Sequence, residues 1–231
     1  MKTVYEERPN IDDLPARQPK HFPEIENAEF WGLYEQAKPY SLTNIPGFFN
    51  LYQSIDYLHR NRIAGDIAEF GCFLGGCGIF VKLMLRSRSD KRRMLVFDTF
   101  TGFPAGQKDV MRGKPVGSVR YEDFLGQVKE NYSDTLGDYS EVSFVQGPVE
   151  ETLPGFEFSA LALARLDTDF YSSTKAELEY AYPALVKGGV VIIDDYGMFQ
   201  GSRRATDEYF TKEAPPLLNR INGTIWAGVK P

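Results

Sequence analysis

The sequence predicts an α/β fold: a doubly wound, Rossmann-like, mostly parallel sheet that ends in an antiparallel hairpin. Three observations carry this. The apolar runs 161–166 and 190–193 are continuous instead of alternating, so both faces of those strands must be buried, as in a parallel sheet covered by helices. Such runs alternate with helix-period segments along the chain, the pattern of repeated βαβ units. Near the end, the strand-like runs 217–221 and 224–229 flank Asn222-Gly223, a dipeptide that favours a tight hairpin.

The elements follow in order. Residues 1–30 carry Pro9, Pro15, Pro19 and Pro23 among polar residues and read as an arm that packs on the domain or on a second subunit. An aromatic stretch at 31–40 predicts a short docking helix stopped by Pro39. Residues 1–40 therefore form an arm and docking helix, and 41–231 a single domain. The spacing of Phe48, Leu51, Tyr52, Ile55 and Leu58 predicts an amphipathic helix over 47–61. A first strand at 66–70 leads into the glycine-rich turn 71–78 and a helix over 79–85. The second strand, 94–97, ends at Asp98. Residues 101–120 lack a period and predict a long, lid-like loop. A helix at 121–132, a strand at 142–145 and a turn at Gly147-Pro148 follow. Strand 161–166, helix 173–184, strand 190–193 and helix 202–212 lead to the final hairpin.

The chain has 231 residues, 42% apolar and 25% charged, with a formal charge of −6. That balance is of a soluble globular protein and argues against a nucleic-acid binder, which needs a basic face. The basic cluster 86–93 is interrupted by Ser87, Ser89 and Asp90 and reads as a solvated loop. No apolar run reaches the roughly 20 residues of a membrane span, and no signal peptide is recognisable, so a cytoplasmic location is expected. Cys72 and Cys77 lack the partners of a zinc site and are expected to stay reduced.

The chemistry gathers at two stretches, 163–171 and 188–196, each an apolar run ending in paired carboxylates, Asp167 and Asp169 in the first and Asp194 and Asp195 in the second. Neighbouring parallel strands would bring all four to one sheet edge, where open α/β sheets bind ligands. Like charges that close cannot all stay ionised without a compensating cation or shared protons, which suggests a hard divalent metal. Asp169 could alternatively cap the helix after it. The glycine turn would admit a nucleotide-like ligand, but Gly71-x-x-x-Gly75-Gly76-x-Gly78 departs from the dinucleotide pattern. Glu69 and Asp98 beside it suit a ligand carrying positive charge, unless Glu69 caps a helix or pairs with a buried arginine. Of the two histidines, His21 falls in the arm and His59 on the leading helix, where a surface role is expected. Tyr171, Tyr196, Phe199 and Phe103 flank the same edge and would suit a sugar or ring. Lys108, Arg112, Lys114 and Arg120 on the long loop could clamp an anionic substrate.

Five ordered motifs add to this: Glu69-Phe-Gly-Cys-Phe-Leu-Gly-Gly76, Phe97-Asp-Thr-Phe-Thr-Gly-Phe-Pro104, Gly147 with Glu151-Thr-Leu-Pro154, Arg165-Leu-Asp-Thr-Asp-Phe-Tyr-Ser-Ser-Thr174, and Tyr182-Pro through Gly188 to Gly197. Together they resemble the macrocin-type O-methyltransferases, class I enzymes that use S-adenosyl-L-methionine and a metal to methylate sugar hydroxyls of natural products. The resemblance implies a cofactor site of Thr43, Glu69, Gly71, Gly75, Asp98, Thr99 and Gly147. It implies Mg²⁺ on Asp167, Asp194 and Asp195, and makes Asp169, with Asp167, a catalytic candidate. Asp169 would be a further ligand, an outer-shell group or the base. The acceptor would be a sugar-like small molecule, with no nucleic acid and no membrane involved, and the aromatic arm suggests a homo-oligomer. Pro148, where the family often has an aromatic residue, departs from the pattern. Two other readings remain: a nicotinamide-dependent oxidoreductase, and a non-catalytic small-molecule-binding protein on the same fold.

Overall fold

The computed structural model describes residues 22–104, 106, 108–117 and 122–231. The Pro-rich part of the arm before Phe22, with His21, and Arg120 lie outside these residues. Helix α1, Ala28–Ala37, starts earlier than the aromatic stretch suggested because Asn27 caps it, accepting from the Glu29 and Phe30 amides. It buries Phe30, Tyr34 and Ala37, spaced to one helical face, in the same hydrophobic cluster as α2, Ile45–Arg60. The docking helix thus docks on its own domain. Pro39 does not stop it outright; a 3-10 turn at Lys38–Tyr40 absorbs the proline.

The strands are β1 Asp66–Phe70, β2 Met94–Asp98, β3 Lys108–Met111, β4 Lys114–Gly117, β5 Val142–Gln146, β6 Leu161–Leu166, β7 Leu185–Ile193, β8 Asn219–Arg220 and β9 Trp226–Val229. Among them run α3 Gly76–Ser87, α4 Leu125–Leu136, the short α5 Val149–Thr152, α6 Tyr171–Tyr180 and α7 Gln200–Tyr209. The seven-stranded sheet has the order β5-β2-β1-β6-β7-β9-β8. It is parallel as far as β7, and β9 and β8 close it antiparallel, as expected. One hydrophobic cluster packs α1, α2 and α3 on one face and the other packs α5 and α6 on the opposite face, so the apolar strands are covered on both sides.

From β1 the chain winds outward to β2 and β5, then returns to the other side of β1 with β6 and β7. That reversal makes the carboxyl ends of β1 and β6 a topological switch point, the place where such sheets bind ligands. In the β6–β7 register Leu166 stands opposite Ile193. The next residues, Asp167 and Asp194, are therefore held side by side, with the Asp167 amide on the Phe70 carbonyl and the Asp194 amide on the Leu166 carbonyl, each at 2.9 Å.

Two expectations need correction. Residues 108–117 are not a loop but a small antiparallel hairpin, β3 on β4, turning at Arg112-Gly113, both with positive φ. The hairpin is docked on the segment before α7: Met111 bridges to Phe199, and the Asp109 carboxylate accepts the Gly201 amide at 3.0 Å. The terminal turn is also wider than the Asn-Gly dipeptide implied. The Asn222 side chain accepts the Thr224 and Ile225 amides at 2.7 and 2.8 Å and builds a five-residue loop. Helix ends shift as well: α3 begins at Gly76 because Gly75, at φ 91°, serves as its N-cap, and α4 and α6 start and stop a few residues from their expected limits.

Candidate active site

The glycine turn is shaped first by its own protein. Gly71 has φ 80°, and a Cβ there would run into the Asp167 carbonyl oxygen. A Cβ on Gly75 would come within 2.6 Å of the Tyr132 ring. These glycines let β1, β6 and α4 close together.

Above the turn lies a cavity of about 610 Å³. Thr43, Gly71, Asp98, Thr99, Gly147, Asp167, Asp169, Asp194 and Asp195 all line it. Glu69 and Gly75 do not. Asp98 accepts the amides of Cys72 at 2.7 Å and Phe100 at 2.8 Å, which aims the end of β2 at the cavity while burial pushes its pKa up. The Thr99 hydroxyl donates to the Gly102 carbonyl at 2.5 Å, and the Gly147 amide to the Asp98 carbonyl at 3.0 Å. Phe103 and Phe170 supply an aromatic wall, edge to face at 4.9 Å. Tyr171, Tyr196 and Phe199 are absent from the lining; the two tyrosine hydroxyls turn away to Glu208 and Asp207. Arg112 reaches the lining, while Lys108 and Lys114 stand exposed on the hairpin. His59 sits on α2, 3.5 Å from Asp90 and outside the lining. Both cysteines line the cavity as free thiols. Burial raises both, Cys77 to about 12.

Asp167, Asp194 and Asp195 each place one carboxylate oxygen within 4.8 Å of the others. Burial pushes Asp167 and Asp195 well above the usual carboxylate range. Arg165 opposes the rise at both, while Asp194 and Asp195 add to it at Asp167, and Asp169 and Asp194 at Asp195. Asp169 sits beside them in a left-handed turn, φ 72°, its amide donating to Asp195 Oδ2 at 3.1 Å. The N-cap residue of α6 is Phe170, with no side-chain capping bond.

The group that sequence reasoning passed over is Arg165. Its side chain is 4% exposed and touches Glu69 at 3.1 Å, Asp167 at 2.7 Å and Asp194 at 2.6 Å. Burial works against its charge, but Asp167 and Asp194 outweigh it and raise its pKa further. An arginine inside an apolar strand was itself the signal, since such a residue is rarely buried unless paired. Glu69 therefore takes the buried-arginine reading and floors the site.

Burial, opposed by Arg165 and helped by Asp98, lifts Glu69 from 4.5 to about 7. A raised acid keeps its proton longer in the fold than in the unfolded chain, so stability falls as pH rises from about 4.5 to 7. At about 1.4 kcal/mol per unit the loss is roughly 3 kcal/mol. Urea unfolding across this range is expected to show a smaller drop for Glu69→Gln than for the wild type; equal slopes would contradict the assignment.

With this geometry in hand, residues 37–226 match the profile of the Macrocin-O-methyltransferase (TylF) family. The chain belongs to that family. It is 30% identical over 216 residues to the demethyldecarbamoylnovobiocin O-methyltransferase of Streptomyces niveus, covering 91% of this chain and 81% of that protein. It is 35% identical over 170 residues to an 8-demethyl-8-(2,3-dimethoxy-alpha-L-rhamnosyl)-tetracenomycin-C 4'-O-methyltransferase of Streptomyces olivaceus, covering 69% of this chain and 63% of that protein. Among solved structures, the O-methyltransferase NovP superposes with a TM-score of 0.71 at 28% identity, over 83% of this chain and 82% of that one. The calicheamicin methyltransferase CalS11 gives 0.58 at 25% identity, over 92% and 93%. The macrocin-type chain is thus an S-adenosylmethionine-dependent O-methyltransferase, which sets aside the oxidoreductase and non-catalytic readings. Among the described residues no helix is long and apolar enough to cross a membrane.

Proposed function

We propose that this macrocin-type enzyme is metal-dependent and moves the methyl group to a hydroxyl of a sugar or glycosylated small molecule. The observation that carries the metal is the convergence of Asp167, Asp194 and Asp195 on one point beside the cavity. An all-oxygen, carboxylate-rich set suits a hard ion such as Mg²⁺, and it fits here because one arginine shared with Glu69 leaves the cluster under-compensated. These three residues would hold the ion. When bound, it would supply a Lewis acid that lowers the pKa of the attacking hydroxyl.

The cofactor fits the other half of the cavity. Asp98, at the end of β2, lines the cavity and would accept from ribose hydroxyls there. Thr43, Gly71, Thr99 and Gly147 form the surrounding wall. S-adenosylmethionine supplies an electrophilic methyl for in-line displacement, so the protein's task is alignment and deprotonation. Asp169, facing the cavity next to Asp195, is the base that takes the hydroxyl proton. Asp167 would assist as one of the residues that hold the ion at the cavity wall.

The sugar is supported by the relatives' names, one of which specifies the 4'-oxygen of a rhamnosyl unit, and by the Phe103 and Phe170 wall. A panel of glycosides and their aglycones, incubated with methyl-labelled S-adenosylmethionine, tests it. Label is expected on a sugar hydroxyl; label confined to aglycone hydroxyls would overturn the acceptor class.

A further inference from the structure

Arg165 does more than balance charge. Its two terminal nitrogens each hold one member of the carboxylate cluster, and each also reaches a second acceptor, the buried Glu69 for Nη1 and the cavity-lining Thr43 for Nη2. Nη1 donates to Glu69 Oε1 at 3.1 Å and meets Asp167 Oδ2 at 2.7 Å. Nη2 donates to Asp194 Oδ1 at 2.6 Å and to Thr43 Oγ1 at 3.2 Å. Thr43 in turn accepts from the Cys77 thiol in the first turn of α3 at 3.2 Å, and it belongs to the cavity lining between the 3-10 turn and α2. One buried guanidinium therefore connects two candidate cation ligands with the segment that walls the other half of the cavity.

We infer that Arg165 is a positioning residue that couples occupancy of the carboxylate cluster to cofactor binding. The inference rests on the cluster being a cation site. A divalent ion there answers the charge of Asp167 and Asp194, which the guanidinium now answers. The arginine's hydrogen-bonding capacity then shifts to Glu69 and Thr43, and Thr43 is held more firmly. A wall ordered in advance costs less to organise when the cofactor enters, so the two sites favour one another, as linkage requires in both directions. Lysine cannot reproduce this, because a single ammonium lacks the planar fork that reaches four acceptors from two nitrogens.

The test is calorimetry with S-adenosylhomocysteine, which lacks the sulfonium charge, in the presence and absence of Mn²⁺ as probe ion. In the wild type Mn²⁺ is expected to tighten S-adenosylhomocysteine binding by about fivefold or more. In Thr43→Val, which keeps every charge and nearly the same shape, Mn²⁺ should still bind while that ratio falls to within about twofold of unity. Arg165→Lys should lose the ratio too, and if it fails to fold, Thr43→Val decides alone. A purely structural role for Arg165 would change affinities without erasing the ratio. Mn²⁺ binding with no change in S-adenosylhomocysteine affinity, or a full ratio in Thr43→Val, overturns the coupling and leaves the metal site standing. No Mn²⁺ binding to the wild type overturns both.

Discussion

Alanine at Asp167 or Asp194 is expected to lower methyl transfer by roughly a hundredfold or more while the protein still binds S-adenosylhomocysteine. The magnitude follows from what each residue holds. Groups that only hydrogen-bond to metal ligands already cost about 10- to 100-fold when removed, and these two would touch the proposed ion directly. Asp167 and Asp194 are also the two cluster members that Arg165 touches, at 2.7 and 2.6 Å, so their loss frees a buried cation as well as removing a ligand. Asp98 and the glycine turn, the proposed cofactor contacts, lie on β2 and after β1 and are not altered. Steady-state rates and calorimetry on the same preparations check both halves. Loss of S-adenosylhomocysteine binding in parallel with activity would place these carboxylates in the cofactor site instead.

The second large effect is expected at Asp169. Asparagine there keeps the shape and tolerates the left-handed backbone, φ 72°, but cannot take a proton. A drop of about 10²- to 10⁴-fold in kcat is expected, with little change in KM for S-adenosylmethionine and with Mn²⁺ affinity retained. Because Asp169 donates its backbone amide, not its side chain, to Asp195, the substitution leaves that contact in place. A loss of Mn²⁺ affinity would make Asp169 a ligand, and an unchanged kcat would remove it from the chemistry.

The sheet and the aspartate pairs were legible because continuous apolar runs have one economical burial and because strand register then dictates which residues meet at the edge. The Leu166 and Ile193 register is a consequence of that pattern. Arg165 stands within one of the motifs without an evident role, since periodicity marks apolar positions and says nothing about which charge lies between two carboxylates. The glycines were read as making room for a ligand, whereas the contact that excludes a Cβ at Gly71 is the Asp167 carbonyl, nearly a hundred residues away in sequence. The 108–117 hairpin escaped notice because its strands are four residues each and its turn is Arg112-Gly113, without the asparagine or aspartate that announces such turns. Asn222 shows the converse. It was a correct turn signal, but its side chain, by accepting two amides, chose a wider loop than the dipeptide alone implies.

The central claim is that the carboxylate cluster works with a divalent cation to activate a substrate hydroxyl. Its most direct test is the rate of methyl transfer from S-adenosylmethionine to a turned-over acceptor in excess chelator, followed by restoration with Mg²⁺. The account predicts that transfer collapses in chelator and returns on adding Mg²⁺, and that neither treatment matters in Asp194→Ala. Full activity in excess chelator would contradict it and leave the cluster's charge to be answered by Arg165, its cationic partner among the described residues.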